Sequence, residues 1–202
     1  MKTSRWLVVL LLMAAILAPL PAAAMHSEAF GFYNSGVRKF RQGDVDGALS
    51  DLNRAIALDP GYWKAINSRG VARRAKGDLD GAIADHTLAI SINPDNAAAY
   101  SNRGVALRDK GDRAGALADY SRALQIDPRD AYTYNNRGAI RADQNDLDAA
   151  IADFSHAIEL MPDYAESYFN RSVCRKLKGD VVGARADREK ALQLDPRLGK
   201  SK

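Results

Sequence analysis

Between Asp44 and Asp59 the apolar residues include Ala48, Leu49, Leu52, Ala55, Ile56 and Leu58, so that apolar side chains recur three and four residues apart, as at 48 and 52, 52 and 55, and 52 and 56. That spacing puts them on one face of a helix turning every 3.6 residues. The same run returns at intervals of 34 residues and is closed each time by a proline, at Pro60, Pro94, Pro128, Pro162 and Pro196. A proline lacks the amide donor and clashes with the preceding turn, so each run ends there. Upstream of each run lies a second amphipathic stretch that ends at Gly43, Gly77, Gly111, Asn145 or Gly179, residues suited to the left-handed conformation that closes a helix. Asp44, Asp78, Asp112, Asp146 and Asp180 follow directly, each placed to accept from the free N–H groups of the next helix. The pattern predicts pairs of helices joined by short turns.

Counting back from the prolines gives five units of 34 residues, 29–62, 63–96, 97–130, 131–164 and 165–198. Unit position 20 is always alanine (Ala48, Ala82, Ala116, Ala150, Ala184), and so is position 27 (Ala55, Ala89, Ala123, Ala157, Ala191). Position 8 is Gly36, Gly70, Gly104 and Gly138, then Ser172, and an aromatic stands at position 4 in Phe32, Tyr100, Tyr134 and Tyr168. This set of columns resembles the tetratricopeptide repeat, whose signature has an early aromatic, Gly at position 8, Ala at 20 and 27, an aromatic at 24 and Pro at 32. The resemblance implies an all-α fold, an α-solenoid in which helix-turn-helix units stack into a right-handed superhelix. Such units fold only as an array: ordering 34 residues costs roughly 35 to 70 kcal/mol, at about 1 to 2 per residue. One thin layer buries too little apolar surface to offset that, and stacked neighbours supply the rest.

The sequence departs from the family at position 7, where Arg69, Arg103, Arg137 and Arg171 replace the usual Leu, and at position 11, where Lys39, Arg73, Arg141 and Arg175 replace an aromatic. An aspartate stands at position 23 of every unit, as Asp51, Asp85, Asp119, Asp153 and Asp187. Unit one has Ser35 at position 7 and no unit before it, which favours pairing each aspartate with the arginine of the next unit. The expected pairs are Asp51 with Arg69, Asp85 with Arg103, Asp119 with Arg137, and Asp153 with Arg171; the alternative is that the guanidinium groups reach water unpaired.

Position 6 is Asn34, Asn102, Asn136 and Asn170. The resemblance places it on the concave face, which implies a groove for an extended peptide, lined also by Tyr33, Tyr132 and Phe169 and by the basic Lys64, Arg74 and Arg108. Aromatic anchors beside arginine donors are the usual substance of binding hot spots. A second reading stands beside it, in which these asparagines hydrogen-bond their own or a neighbouring helix. Position 9 holds Val37, Val71, Val105, Ala139 and Val173. The family's clamp for a peptide C-terminus needs a polar residue there, so that specificity does not carry over. Phe30, Phe32, Tyr33 and Phe40 form either an apolar pocket or a cap on the first unit. Arg185 and Arg188 replace apolar residues at positions 21 and 24 of the last unit, which reads as a solvated terminal cap.

The ends of the chain add a destination. Lys2 and Arg5, the apolar run from Trp6 to Leu20, and Ala22-Ala23-Ala24 make a secretory signal peptide over residues 1–24, cut after Ala24. Residues 25–28 are then a stub, 29–198 the repeats and 199–202 a tail, and the exported chain belongs in a bacterial periplasm. The alternative is an uncleaved segment that tethers the array at the inner membrane as a structural or self-associating scaffold. Cleavage takes away two of the 29 basic residues and none of the 25 acidic ones. The remaining near-balance lacks the concentrated basic footprint of a nucleic-acid binder. Cys174 is the only cysteine, which excludes an internal disulfide and reads as a small buried core residue. His86 replaces a core aromatic, while His26 and His156 stand far from it in sequence. No metal-binding, nucleophile or phosphate-loop motif occurs. Asn170-Arg171-Ser172 fits a glycosylation sequon but is the repeat's own Asn-Arg-Gly with one change. The expectation is a non-enzymatic module that needs no cofactor and binds a protein or peptide.

Overall fold

The structure is a computed structural model that describes residues 22–199, so the apolar run from Trp6 to Leu20 and the tail beyond Gly199 lie outside it. The described residues form ten α-helices and a closing 3-10 turn at Pro196–Gly199, with no strand. In chain order the helices are α1 (Ala22–Arg41), α2 (Val45–Leu58), α3 (Trp63–Ala75), α4 (Leu79–Ile92), α5 (Ala97–Lys110), α6 (Arg113–Ile126), α7 (Ala131–Asp143), α8 (Leu147–Leu160), α9 (Ala165–Leu177) and α10 (Val181–Leu194). Ala22 to Ala24, the expected processing site, open helix α1. No helix among the described residues is long and apolar enough to cross a membrane.

The chain divides into two compact units at Ala65 and Ile66, inside α3. In the first, α1 packs against α2. In the second, each helix from α4 to α9 packs against its successor.

The turns follow the predicted chemistry. Gly43, Gly77, Gly111 and Gly179 close the first helices at φ of 84°, 87°, 94° and 87°, and Asn145 takes the same role at 62°. Asp44, Asp78, Asp112, Asp146 and Asp180 cap the second helices, each accepting from the backbone N–H three residues on. Close approach within a pair rests on small residues: the alanines at positions 20 and 27 are all buried. Gly104 shows the constraint most clearly, since a Cβ there would lie 2.7 Å from the Tyr120 ring. A side chain at Gly104 would have to displace an aromatic that is itself fully enclosed. Cys174 is buried as expected, in a cluster with Ala150 and Phe154, and burial pushes its thiol pKa up.

The charged ladder is organised differently from the expectation. Arg69, Arg103, Arg137 and Arg171 each grip the aspartate of their own unit, Asp85, Asp119, Asp153 and Asp187, through Nε and one NH2 group at 2.7 to 3.0 Å. The expected pairings of Asp85 with Arg103, Asp119 with Arg137 and Asp153 with Arg171 are thereby replaced. Within the first compact unit Asp51 takes Lys39 at 2.7 Å, and within the second Arg69 takes Asp85 at 2.7 Å. The reason is antiparallel geometry: positions 7 and 23 are each eight residues from the turn at position 15, so they lie level across the hairpin. Position 11 is one helical turn from position 7 and joins the same carboxylate, with Arg73, Arg141 and Arg175 at 2.8 to 2.9 Å from Asp85, Asp153 and Asp187. The arginines do link neighbouring units, but through hydroxyls. The remaining NH1 group donates backward to Thr87 from Arg103 (3.1 Å), to Ser121 from Arg137 (3.5 Å) and to Ser155 from Arg171 (2.9 Å).

The aromatics of α1 do not gather into one pocket: Tyr33 packs on Phe30 and Tyr62, whereas Phe32 lies under the Arg54 guanidinium. At the other end Arg185 and Arg188 are exposed as a cap requires, yet Leu177, Val181 and Val182 beside them are 67%, 61% and 83% exposed.

Candidate functional face

The predicted site residues from Ile66 onward stand on the first helices of the pairs, α3, α5, α7 and α9. These helices are stitched to one another by polar side chains. Asn102 Nδ2 donates to Asn67 Oδ1 (3.4 Å), and Asn170 Nδ2 donates to Asn135 Oδ1 (3.1 Å), which Ser167 also reaches at 3.1 Å. The nitrogen of Asn170 that a glycan would occupy is therefore already engaged. Between these two couples, Arg74 NH1 donates to Asp109 at 2.8 Å, while Arg108 donates to Asp109 at 3.1 Å and to Asn136 Oδ1 at 3.1 Å. The result is a continuous polar row, Arg74, Asp109, Arg108, Asn136, running from α3 across α5 to α7.

Of the two readings of position 6, hydrogen bonding to a neighbouring helix is realised at Asn102, Asn136 and Asn170. Asn136 differs in sense: its Oδ1 accepts from Arg108, a bond that leaves the two amide donors uncommitted. Tyr132 is 57% exposed and packs edge-on against Tyr164 at 5.1 Å, and Phe169 lies half-buried beneath Arg188 at 5.1 Å. Burial, then Glu166, pushes the Tyr164 phenol up to about 12. Tyr33, Asn34 and Lys64 belong to the segment ending at Ala65, where Asn34 and Lys64 are exposed and Lys64 lies over the Trp63 ring at 5.3 Å.

Two buried groups lie behind the row. His86 donates from Nδ1 to Asn67 Oδ1 at 2.8 Å, and its Nε2 has no hydrogen-bond partner. Burial, aided by Arg74 and Arg103, pushes this imidazole down to about 4, so it is neutral at pH 7. Tyr120 is fully buried with an unpartnered hydroxyl, and burial pushes its phenol up to about 12. Asn67 and Asn135, the acceptors that organise the row, were missed as site residues. Both stand at unit position 5, and an Asn there followed 35 residues later by an Asn at position 6 is the signal that would have found them. Among the described residues no three His, Cys, Asp or Glu side chains are grouped to hold a metal ion.

Models of one family match most of this chain, those described as "TPR repeat" over residues 70–111 and 104–144 and as "Tetratricopeptide repeat" over 33–90 and 131–164. The chain belongs to the tetratricopeptide repeat family. No curated protein matches the sequence. Among solved structures, PilF of Pseudomonas aeruginosa superposes with a TM-score of 0.78 at 17% identity, covering 88% of this chain and 85% of that one. MamA of Desulfovibrio magneticus gives 0.73 at 20% identity, over 86% of this chain and 98% of that one. YrrB, described as a TPR protein with an unusual peptide-binding site, gives 0.66 at 21% identity over 83% and 87%. At these identities the likeness is one of fold. The tetratricopeptide fold is that of protein-interaction modules, and its members are typically non-catalytic scaffolds.

Proposed function

We propose that this chain is an exported module of five tetratricopeptide units that binds an extended segment of a partner protein along its first-helix face. The observation that carries the reading is the polar row from Arg74 to Asn136. Its side chains are fixed in advance by their bonds to one another, while the Asn136 amide nitrogen and the exposed Tyr132 ring stay open to a ligand. Fixing such groups before binding lowers the entropy lost on association. Main-chain carbonyls of the segment would take the amide donors, a side-chain carboxylate would take Arg108, and Tyr132 would supply apolar contact. The unit over residues 165–198, beyond the family-model matches, is included because α9 and α10 repeat the turn, cap and arginine–aspartate grip of the others.

The test is crosslinking of the exported chain in its own cells, followed by identification of the captured protein. Asn102→Ala with Asn136→Ala should reduce capture at least tenfold while circular dichroism stays that of the parent; undiminished capture by a folded double variant refutes the face. Export is tested separately by the mass of the mature protein, expected to begin at Met25.

A further inference from the structure

Inside the second compact unit every hairpin but the last has its outer groove filled by the next first helix. Ile140 of α7 packs with Ala116 and Tyr120, and Cys174 of α9 packs with Ala150 and Phe154. Both knobs stand at unit position 10, and the walls they meet are apolar or aromatic. After α10 no described helix follows, and the corresponding groove stands open with a volume of about 900 Å³. Its floor is still that of a helix-binding groove, with Val173, Leu177, Val181 and Ala184.

Its rim is different in charge. Lys176, Arg185 and Arg188 line it, where the preceding hairpin has Ala142, Ile151 and Phe154, and no acidic side chain is among the lining residues. A groove of this kind discriminates against an occupant that brings positive charge. The chain's own segments do so. Helix α1, the natural candidate in a second copy, carries Glu28 as its only acid and Arg38, Lys39 and Arg41 in its last turn. The leader brings Lys2 and Arg5 with no acid, and the tail brings Lys200 and Lys202.

We infer that this terminal groove is a second docking site, which takes an amphipathic helix with acidic flanks from a partner protein. An apolar knob of that helix sits over Ala184 as Cys174 sits over Ala150, and its carboxylates pair with Arg185, Arg188 and Lys176. The site shares helix α9 with the first-helix face but none of the residues of the polar row from Arg74 to Asn136.

The probe is a fluorescein-labelled 13-residue helical peptide, the length of α9, with Ile and Leu on one face and Glu on the others; its counterpart with Lys for every Glu is the control. Binding to the full chain is followed by fluorescence anisotropy. The acidic peptide should bind at least tenfold more tightly than the lysine peptide. Leu177→Glu and, independently, the pair R185E with R188E should each weaken it tenfold or more, whereas N102A with N136A leaves it unchanged. Leu177→Ser, a milder change at the same exposed position, guards against misfolding and should weaken binding several-fold. Equal binding of the two peptides, no binding of the acidic one, or indifference to both sets of variants overturns the inference. So does sedimentation equilibrium showing that the chain dimerises and that Leu177→Glu abolishes the dimer, since the occupant is then a second copy.

Discussion

Asp153→Ala tests whether the arginine–aspartate grip holds each hairpin together. Asp153 is 2% exposed and receives three hydrogen bonds from charged donors: Arg137 Nε at 3.0 Å, Arg137 NH2 at 2.7 Å and Arg141 NH1 at 2.8 Å. Both guanidinium groups are themselves largely shielded. Removing the carboxylate strands two cations against the hairpin, and the loss of one partner from a buried ion pair costs about 3 to 5 kcal/mol. For a chain of this length that is a fall of about 10 °C in Tm. The protein supplies its own control, because Leu107 replaces the second arginine in the hairpin of α5 and α6, where Asp119 is held by Arg103 alone. Asp119→Ala should therefore cost less than Asp153→Ala, by roughly the 1.5 to 3 kcal/mol of one hydrogen bond to a charged group. Arg141→Leu, which copies that natural arrangement, removes the same bond and should cost a similar amount, about 1.5 to 3 kcal/mol. Urea unfolding followed by circular dichroism gives the stabilities, and amide exchange shows whether the loss begins in α7 and α8, as expected for units coupled mainly to their neighbours. A cost below 1 kcal/mol for Asp153→Ala, or equal costs for Asp119→Ala and Asp153→Ala, would refute the argument.

Four further outcomes follow from buried groups. His86 titrates near 4 when folded and about 6.5 when unfolded, so the unfolded chain binds the extra proton first. Its contribution is intact above pH 6.5 and is lost on acidification towards 4, by about 3 kcal/mol. His86→Phe, matching Phe154 at the equivalent position, should flatten stability over that range, and an unchanged pH profile refutes the assignment. Asp51 acts lower: burial pushes its pKa up, but Lys39 and Ser35 donors and the Lys39 charge pull it net below 3.8, so its stabilisation is full above that value and fades as pH falls through the folded pKa. Lys39→Met should therefore lower stability at neutral pH and make its fall below about pH 4 shallower, read by urea unfolding followed by circular dichroism. Gly104→Ala should cost about 1 to 3 kcal/mol by forcing the Tyr120 ring aside. Tyr120→Phe, which removes an unpartnered buried hydroxyl, should be neutral or stabilising by about 1 kcal/mol in the same urea assay.

What the sequence disclosed and what it withheld follow from the range of each interaction. Turns, caps and proline stops are local, and Gly111, Asp112 and Pro128 announce them without reference to any other part of the chain. The alanine columns are also legible, because helix contact inside a unit recurs with the period of the sequence. The partner of Arg137 was less plain: Asp119 and Asp153 recur with the same period, so periodicity could not choose between the unit's own aspartate and its neighbour's. Only symmetry about the turn at Asn145 decides it. The fates of Asn102 and Asn136 needed distances as well. The same residue type at the same unit position donates to Asn67 in one case and accepts from Arg108 in the other.

The two ends of unit position 24 bring the fold and its surfaces into one argument. Inside the array this position fills the space over a glycine, as Tyr120 does over Gly104, and the next first helix seals it. In the last pair Arg188 takes the position over Ser172 and turns to the Phe169 ring, where nothing described seals it. Water is met best by polar residues on both helices of such a pair. Instead α9 and α10 keep Val173, Leu177, Val181 and Val182 exposed and surround them with cations. Exposed apolar side chains of that extent on a repeat terminus lower solubility unless they are covered. Their retention beside Arg185 and Arg188 is what the need for an acidic partner helix explains, and what a simple cap does not.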